Sequence, residues 1–285
     1  MTRSFASAMI LIALCAVRYA SSQSSSLQSQ PASAWDGRRI VALTGFGDYY
    51  AQTEDGQTRV VKPDGLSVNI VVVVQRVEGD RVWIEATGNG VAPVGWINRN
   101  EALLLENAVP YFTAKIARDP HDWDSFLRRA ESEHALNQRE EAISDYTKAI
   151  ELHGREPFLF LRRGREYRIL KDCPRAASDF EQATRLRPEW AEAYDMAAGV
   201  YTDCPDPSQR DLAKAISLIN HAISLSPNPT YLTVLALAYF RSGDLEKAVT
   251  TQRQAVESPA FPPGYRADAL RQLRNYEQAL AAEKH

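Results

Sequence analysis

Histidines, cysteines and paired carboxylates most often carry catalysis or hold metals, and their spacing decides whether they can converge. The five histidines show no HxxxH or HExxH spacing and have no cysteine partner: His121, His134, His153, His221 and His285. The chain also lacks the GxSxG, P-loop and GxGxxG patterns. We therefore predict no catalytic residue, no metal site and no cofactor. The abundant Asp and Glu are interpreted as solvated helix surface.

The charge balance bears on the kind of partner. The chain carries 33 Lys and Arg against 36 Asp and Glu, a formal net charge of −3. No stretch concentrates enough basic residues for a nucleic-acid footprint or a polybasic lipid patch. We expect no nucleic-acid partner.

The N-terminus has the composition of an export signal. Arg3 precedes an apolar run of ten residues, 8–17, which is too short to span a bilayer as a helix. Small residues Ala20 and Ser22 favour cleavage after Ser22. We predict a signal peptide over 1–22, a disordered linker over 23–35, no membrane span after signal removal, and an exported protein, periplasmic or secreted. The alternative is an uncleaved N-terminal segment that anchors the chain in the membrane.

Residues 36–105 are rich in Val, Ile, Gly and turn pairs, which is typical of short strands. Strands are predicted at 38–43, 69–77, 81–87, 92–98 and 102–105, a number and spacing that suit a small all-β barrel or sandwich. The run GDRVWIE followed by GWINRNEALLL resembles the end of a bacterial SH3-like domain. That resemblance implies an SH3-like barrel that binds peptides or cell-wall material, or that spaces other domains.

Two tryptophans in this segment have different expected places. Trp96, in the Gly-Trp-Ile strand, is predicted to lie in the barrel core. Trp83 alternates with Val82 and Ile84, so it faces outward if they face inward. An outward Trp83 would be a ligand platform on the barrel surface or would pack against the first repeat helix, and both alternatives stay open.

Residues 106–285 repeat with a helical period. Segments anchored at Ala108, Ala142, Ala176, Ala215 and Ala248 are spaced by 34, 34, 39 and 33 residues. When the repeats are numbered from Trp123, Pro157, Ala191 and Pro229, a small residue stands at position eight of each, where two helices cross closely: Ala130, Gly164, Ala198 and Ala236. This pattern resembles the tetratricopeptide repeat, whose period is 34. It implies an all-α solenoid, a right-handed superhelix of helix pairs.

The expected domain boundaries follow from these two patterns. The SH3-like barrel takes 36–105, and a half-repeat helix at 106–120 joins it to the repeats. The four repeats occupy 123–156, 157–190, 191–228 and 229–262, with a five-residue insertion in the third. A capping helix completes the chain at 263–285.

The resemblance also implies a binding groove, because the first helix of each repeat lines the concave surface. The candidate groove residues are Phe158, Leu161, Arg165, Arg168, Glu131, Phe240 and Arg241. Arg165 and Arg168 lie one turn apart beside Phe158 and Leu161, which suits an acidic-aromatic peptide. The alternative is that both arginines are solvated surface, paired with Glu131 or Asp203. The Lys and Asn of the family's carboxylate clamp are absent at the matching positions.

Cys173 and Cys204 lie at the edges of successive repeats, where helices are about 10 Å apart. A disulfide needs Cα atoms within roughly 4.4–6.8 Å. We expect two free buried thiols in preference to a disulfide.

Together these patterns predict a non-catalytic protein-binding scaffold of the cell envelope that holds a peptide or protein. The alternative is a cell-wall (peptidoglycan) targeting module in which the SH3-like domain binds cell-wall material and the repeats recruit an envelope enzyme.

Overall fold

A computed structural model describes residues 34–42, 49–52, 58–61, 71–85 and 94–283. The predicted signal peptide lies outside the described residues, as does nearly all of the predicted linker. The chain divides between His153 and Gly154 into two compact units. Within the described residues, no helix combines the length and apolar character that a membrane crossing requires.

Seven short strands are described in the first unit. They are β1 (Arg39–Ala42), β2 (Tyr49–Gln52), β3 (Thr58–Val61), β4 (Val71–Glu78), β5 (Arg81–Glu85), β6 (Val94–Asn98) and β7 (Ala102–Leu104). Five of them form one antiparallel sheet in the order β6-β5-β4-β1-β7, and β2 pairs with β3 in a separate hairpin. Among the described strands the edges β6 and β7 share no ladder, so a closed barrel is not seen.

One face of the sheet carries a hydrophobic core. Its core consists of Trp35, Ile40, Val72, Val74, Val82, Ile84, Ala102 and Leu104. Val82 and Ile84 are two apart on β5 and therefore share that face. Trp35, which no sequence pattern indicated, is 2% exposed, and the Arg99 guanidinium lies 5.7 Å from its ring centroid.

The described part of the first unit also contains three α-helices: α1 (Leu105–Arg118), α2 (Trp123–Ala135) and α3 (Arg139–Leu152). Phe112 of α1 packs with Val41 of β1, which attaches the helices to the sheet. The Asp122 side chain accepts a hydrogen bond from the Ser125 backbone N–H at 3.1 Å and caps α2.

The second unit is a stack of helix pairs. It contains α4 (Pro157–Ile169), α5 (Cys173–Leu186), α6 (Ala191–Asp203), α7 (Leu212–Leu225), α8 (Pro229–Ser242), α9 (Leu245–Glu257) and α10 (Pro263–Glu283). Proline begins α4, α8 and α10, where a missing N–H costs nothing. The insertion before α7 forms a short 3₁₀ turn at Pro207–Gln209.

Close approach of the paired helices explains the small residue at position eight. A Cβ atom built on Gly164 of α4 would lie 2.8 Å from the Phe180 ring of α5 and 3.2 Å from the Cβ of Asp179. The turns between paired helices use left-handed backbone at Asn137, Lys171 and Gly243, which is position fifteen of three repeats.

Candidate functional site

Charged residues link the first helices of successive pairs in the second unit. Arg165 of α4 bonds to Glu192 of α6 at 3.2 Å. Arg241 of α8 bonds to Asp203 of α6. We call the surface formed by α4, α6 and α8 and bearing these residues the first-helix face.

The two arginines of the predicted basic patch are in different environments. Arg165 is occupied by Glu192, and neither Glu131 nor Asp203 is its partner. Arg168 is exposed, and its guanidinium makes no hydrogen bond or ion pair within the described part of the chain. Desolvation by surrounding protein atoms, and then the Arg165 charge, lower the pKa of Arg168. The guanidinium N–H donors of Arg168 are therefore available to a ligand.

Asp195 of α6 is the acidic counterpart on this face. One of its carboxyl oxygens is buried and lacks a hydrogen-bond partner among the described residues. Desolvation raises the pKa of Asp195 to about 7, against the opposing effect of Arg168. The charge of Glu192, one turn away on the same helix, contributes to that rise. This carboxyl group is close to half protonated near neutral pH.

The other four predicted groove residues of the second unit lie in four different environments. Phe158 is half-buried, whereas Leu161 is 3% exposed and belongs to the core, so the prediction that it lines a surface is wrong. Phe240 stacks on Tyr276 of α10 with ring centroids 4.5 Å apart. Arg241 is paired with Asp203.

Glu131, in the first unit, does not line a binding surface either. It is 4% exposed and accepts a hydrogen bond from the Tyr146 hydroxyl at 2.7 Å. Position nine of the first repeat thus faces α3, which corrects its assignment to the groove.

An ion pair that recurs between paired helices was not anticipated. Arg129 donates two hydrogen bonds to Asp145 at 2.5 and 2.7 Å, and Arg163 donates two to Asp179 at 2.8 and 2.7 Å. Both pairs are sixteen residues apart and stand at positions seven and twenty-three of their repeats. The recurrence of Arg and Asp at a period of 34 was visible in the sequence.

The structure joins Cys173 and Cys204 in a disulfide, contrary to the expectation of free thiols. Their Cα atoms are 6.0 Å apart, inside the range for a bond. Cys173 begins α5 and Cys204 caps α6, and both are buried. The distance expected between the two Cα atoms was too long, because the ends of two helices can approach more closely than their axes.

Trp83 and Trp96 share the face of the sheet opposite its core. They are direct partners in the β5–β6 ladder, and their rings meet edge to face at 5.4 Å. The prediction that Trp96 lies in the core is therefore wrong, because Ile97, its neighbour on β6, takes the core side. The guanidinium groups of Arg76 and Arg81 lie 5.0 and 5.3 Å from the Trp96 ring centroid.

The described residues include no group of three or more His, Cys, Asp or Glu side chains placed to hold a metal ion. The titratable side chains on helices α4, α6 and α8 are those of Arg, Asp, Glu and Tyr, which suit recognition of a charged ligand.

Two family models match the chain, both described as tetratricopeptide repeat, over residues 208–265 and 124–153. The chain therefore contains tetratricopeptide repeats. No curated protein matches it.

Three solved structures are similar to parts of this chain at low sequence identity. In a Cut9-Hcn1 hetero-tetramer of the APC/C the match has a TM-score of 0.50 and 14% identity, covering 62% of this chain and 34% of that one. MamA from Desulfovibrio magneticus RS-1 matches with a TM-score of 0.49 and 19% identity, covering 54% of this chain and 84% of that one. YrrB, titled a TPR protein with an unusual peptide-binding site, matches with a TM-score of 0.47 and 22% identity, covering 60% and 84%.

Proposed function

We propose that this chain is a non-catalytic scaffold whose tetratricopeptide helices hold a peptide or protein partner on the first-helix face. The observation that carries the proposal is Arg168, an exposed cation without a partner among the described residues, on a face where other cations are paired. Beside it Ile169 is 49% exposed. A cation next to an exposed apolar side chain suits an extended acidic segment with apolar residues.

The test begins with the partner. Crosslinking and mass spectrometry in the cells that make the protein identify it, and a binding titration then compares wild type with the variant Arg165→Ala/Arg168→Ala. Charge-assisted hydrogen bonds contribute about 1.5–3 kcal/mol each, so we expect affinity to fall more than about tenfold. An unchanged affinity, with unchanged thermal unfolding, contradicts the proposal.

The proposed location is the cell envelope, after export. The N-terminal signal pattern supports it, and so does the Cys173–Cys204 bond, because disulfides persist in oxidising compartments. N-terminal sequencing of the native protein should recover a chain that starts near Gln23. Recovery of Met1 from a membrane fraction contradicts cleavage and supports the anchored alternative.

A second candidate function rests on Trp83 and Trp96. Their shared face, with Arg76 and Arg81 beside it, offers aromatic rings and cations of the kind that bind cell-wall polymers. Sedimentation with purified sacculi should then depend on Trp83, and Trp83→Ala should abolish it. Equal sedimentation of Trp83→Ala and wild type contradicts this function.

A further inference from the structure

Two ion pairs form on the described part of the first-helix face, and Arg168 and Asp195 lie beside them without forming another. Arg165–Glu192 and Arg241–Asp203 are closed, while Arg168 and Asp195 make no ion pair with each other within 4.0 Å. Arg168 nevertheless lies over α6, because a Cβ built on Gly199 would be 3.7 Å from its Nη1. Gly199 is one turn beyond Asp195, so the guanidinium and the carboxyl group border the same small area.

This open pair leaves two hydrogen-bonding groups unused. The guanidinium presents N–H donors in a fork that matches a carboxylate. Asp195 keeps one buried oxygen without a partner. A buried polar atom of this kind costs free energy unless something supplies its hydrogen bond.

We propose that Arg168, Asp195 and the surface of Gly199 form a subsite for one carboxylate of an extended peptide, and that Asp195 binds it as a neutral acid. This inference rests on the proposed function and names the ligand chemistry of the same face. The guanidinium pairs with the ligand carboxylate, and the protonated Asp195 carboxyl donates an O–H to it from Oδ2, because Oδ1 is the buried oxygen. An ionised Asp195 repels the ligand and competes for Arg168.

The groups that face this subsite come from several helices. Arg165 and Arg168 face it from α4, Glu192 shares α6 with Asp195, and Tyr231 lies near it on α8. Glu181 of α5 and Lys214 of α7 also pack on α6, but both bind the Tyr201 hydroxyl. His221 of α7 lies against Tyr194, with ring centroids 4.5 Å apart.

The test follows the Arg168 side-chain N–H by NMR while short probes are added to the full chain. Acetyl-Leu-Asp-amide carries only a side-chain carboxylate, acetyl-Leu-Leu carries only a terminal one, and acetyl-Leu-Asn-amide carries none. We expect a saturable shift at Arg168 with a carboxylate probe and none with the Asn probe. The carboxylate probe that binds more tightly shows whether the subsite takes a side-chain or a terminal carboxylate. Absence of any saturable shift, or equal shifts with the Asn probe, overturns the subsite.

The pH dependence supplies the second readout. If only neutral Asp195 accepts the ligand, apparent affinity should be about tenfold higher at about pH 6 than at about pH 8. Asp195→Asn should bind with little pH dependence, which separates Asp195 from His221. A pH dependence that survives in Asp195→Asn overturns the role of Asp195.

The variant Arg168→Gln distinguishes failure of the subsite from failure of the proposed function. Because Arg168 has no partner to lose, we expect unchanged thermal unfolding and loss of probe binding. If the partner is still captured by Arg168→Gln at wild-type affinity but more weakly by Arg165→Ala/Arg168→Ala, the subsite fails and the scaffold function stands. If probes bind at Arg168 but no partner crosslinks to the first-helix face, the scaffold function fails and the subsite stands.

Discussion

The guanidinium of Arg163 on α4 and the carboxylate of Asp179 on α5 meet in two parallel hydrogen bonds, at 2.8 and 2.7 Å. Their side chains are only 16% and 6% exposed. Desolvation raises the pKa of Asp179, and Arg163 opposes that effect. Water solvates neither charge well at this position. The pair therefore links the two helices of one repeat and compensates both charges.

Arg163→Ala should destabilise the second unit strongly. Removing one partner of a buried pair costs about 3–5 kcal/mol, because the other charge stays buried and unpaired. Chemical unfolding measures the loss. The control is Arg271→Ala, whose pair with Asp268 is exposed and should change stability little. Equal effects of the two substitutions contradict a stabilising role for the Arg163–Asp179 pair.

Glu133 should make the first unit less stable as pH rises. Burial, and then the Asp145 charge, raise the pKa of Glu133 to about 8. Because this pKa is above that of the unfolded chain, the contribution of Glu133 is full below about pH 4.5 and is lost as pH rises through about 8. Relative to wild type, the free energy of unfolding of Glu133→Gln should rise by about 1–3 kcal/mol between about pH 4.5 and about pH 8.

Unfolding of wild type and Glu133→Gln at several pH values measures this difference. Glu151→Gln is the control, because Glu151 lies on α3 with its side chain 58% exposed. Parallel pH profiles for wild type and Glu133→Gln would show that Glu133 titrates normally.

Much of the helical fold could be predicted, because the small residues that let helices cross recur with the repeat. Helices α2, α4, α6 and α8 begin at Trp123, Pro157, Ala191 and Pro229, the residues from which the repeats were numbered. Strands β2 and β3 were missed because their sequence lacks a clear alternation. Trp96 was misplaced because the side of a strand that faces the core depends on its ladder partners.

The candidate site was predicted only in part. Helical spacing placed Arg165 and Arg168 one turn apart, but it could not show that Glu192 occupies one of them. That difference depends on how far α6 is rotated against α4. The disulfide likewise depends on the close approach of two helix ends, which a repeat period does not specify.

Cys173→Ser/Cys204→Ser should lower stability in non-reducing conditions. The bond links residues 31 apart and should contribute on the order of 3 kcal/mol. Alkylation of denatured, unreduced protein should label neither cysteine, and reduction should then expose both. Labelling of both cysteines without reductant contradicts the bond. A third labelled site, Cys15, would show that the signal segment was retained.

Gly164→Ala and Gly199→Ala should have opposite effects on thermal stability. The new methyl group at Gly164 would overlap the Phe180 ring, and overpacking costs about 1–3 kcal/mol. Among the described residues, only the end of the Arg168 side chain would lie within 4 Å of a Cβ at Gly199, so alanine should stabilise α6 by about 0.5–1 kcal/mol. Equal melting temperatures would contradict the helix contact at position eight.

Site-specific photocrosslinking tests the central claim most directly, that the first-helix face of the second unit holds a peptide or protein partner. A photoreactive residue is placed at Ile169, exposed beside Arg168, and in a matched variant at Arg185, exposed on the second helix of the same repeat. We predict that one protein crosslinks at Ile169, that Arg168→Gln weakens this crosslink, and that Arg185 yields none. Crosslinking of the same protein at both positions, or at Arg185 alone, would contradict the account.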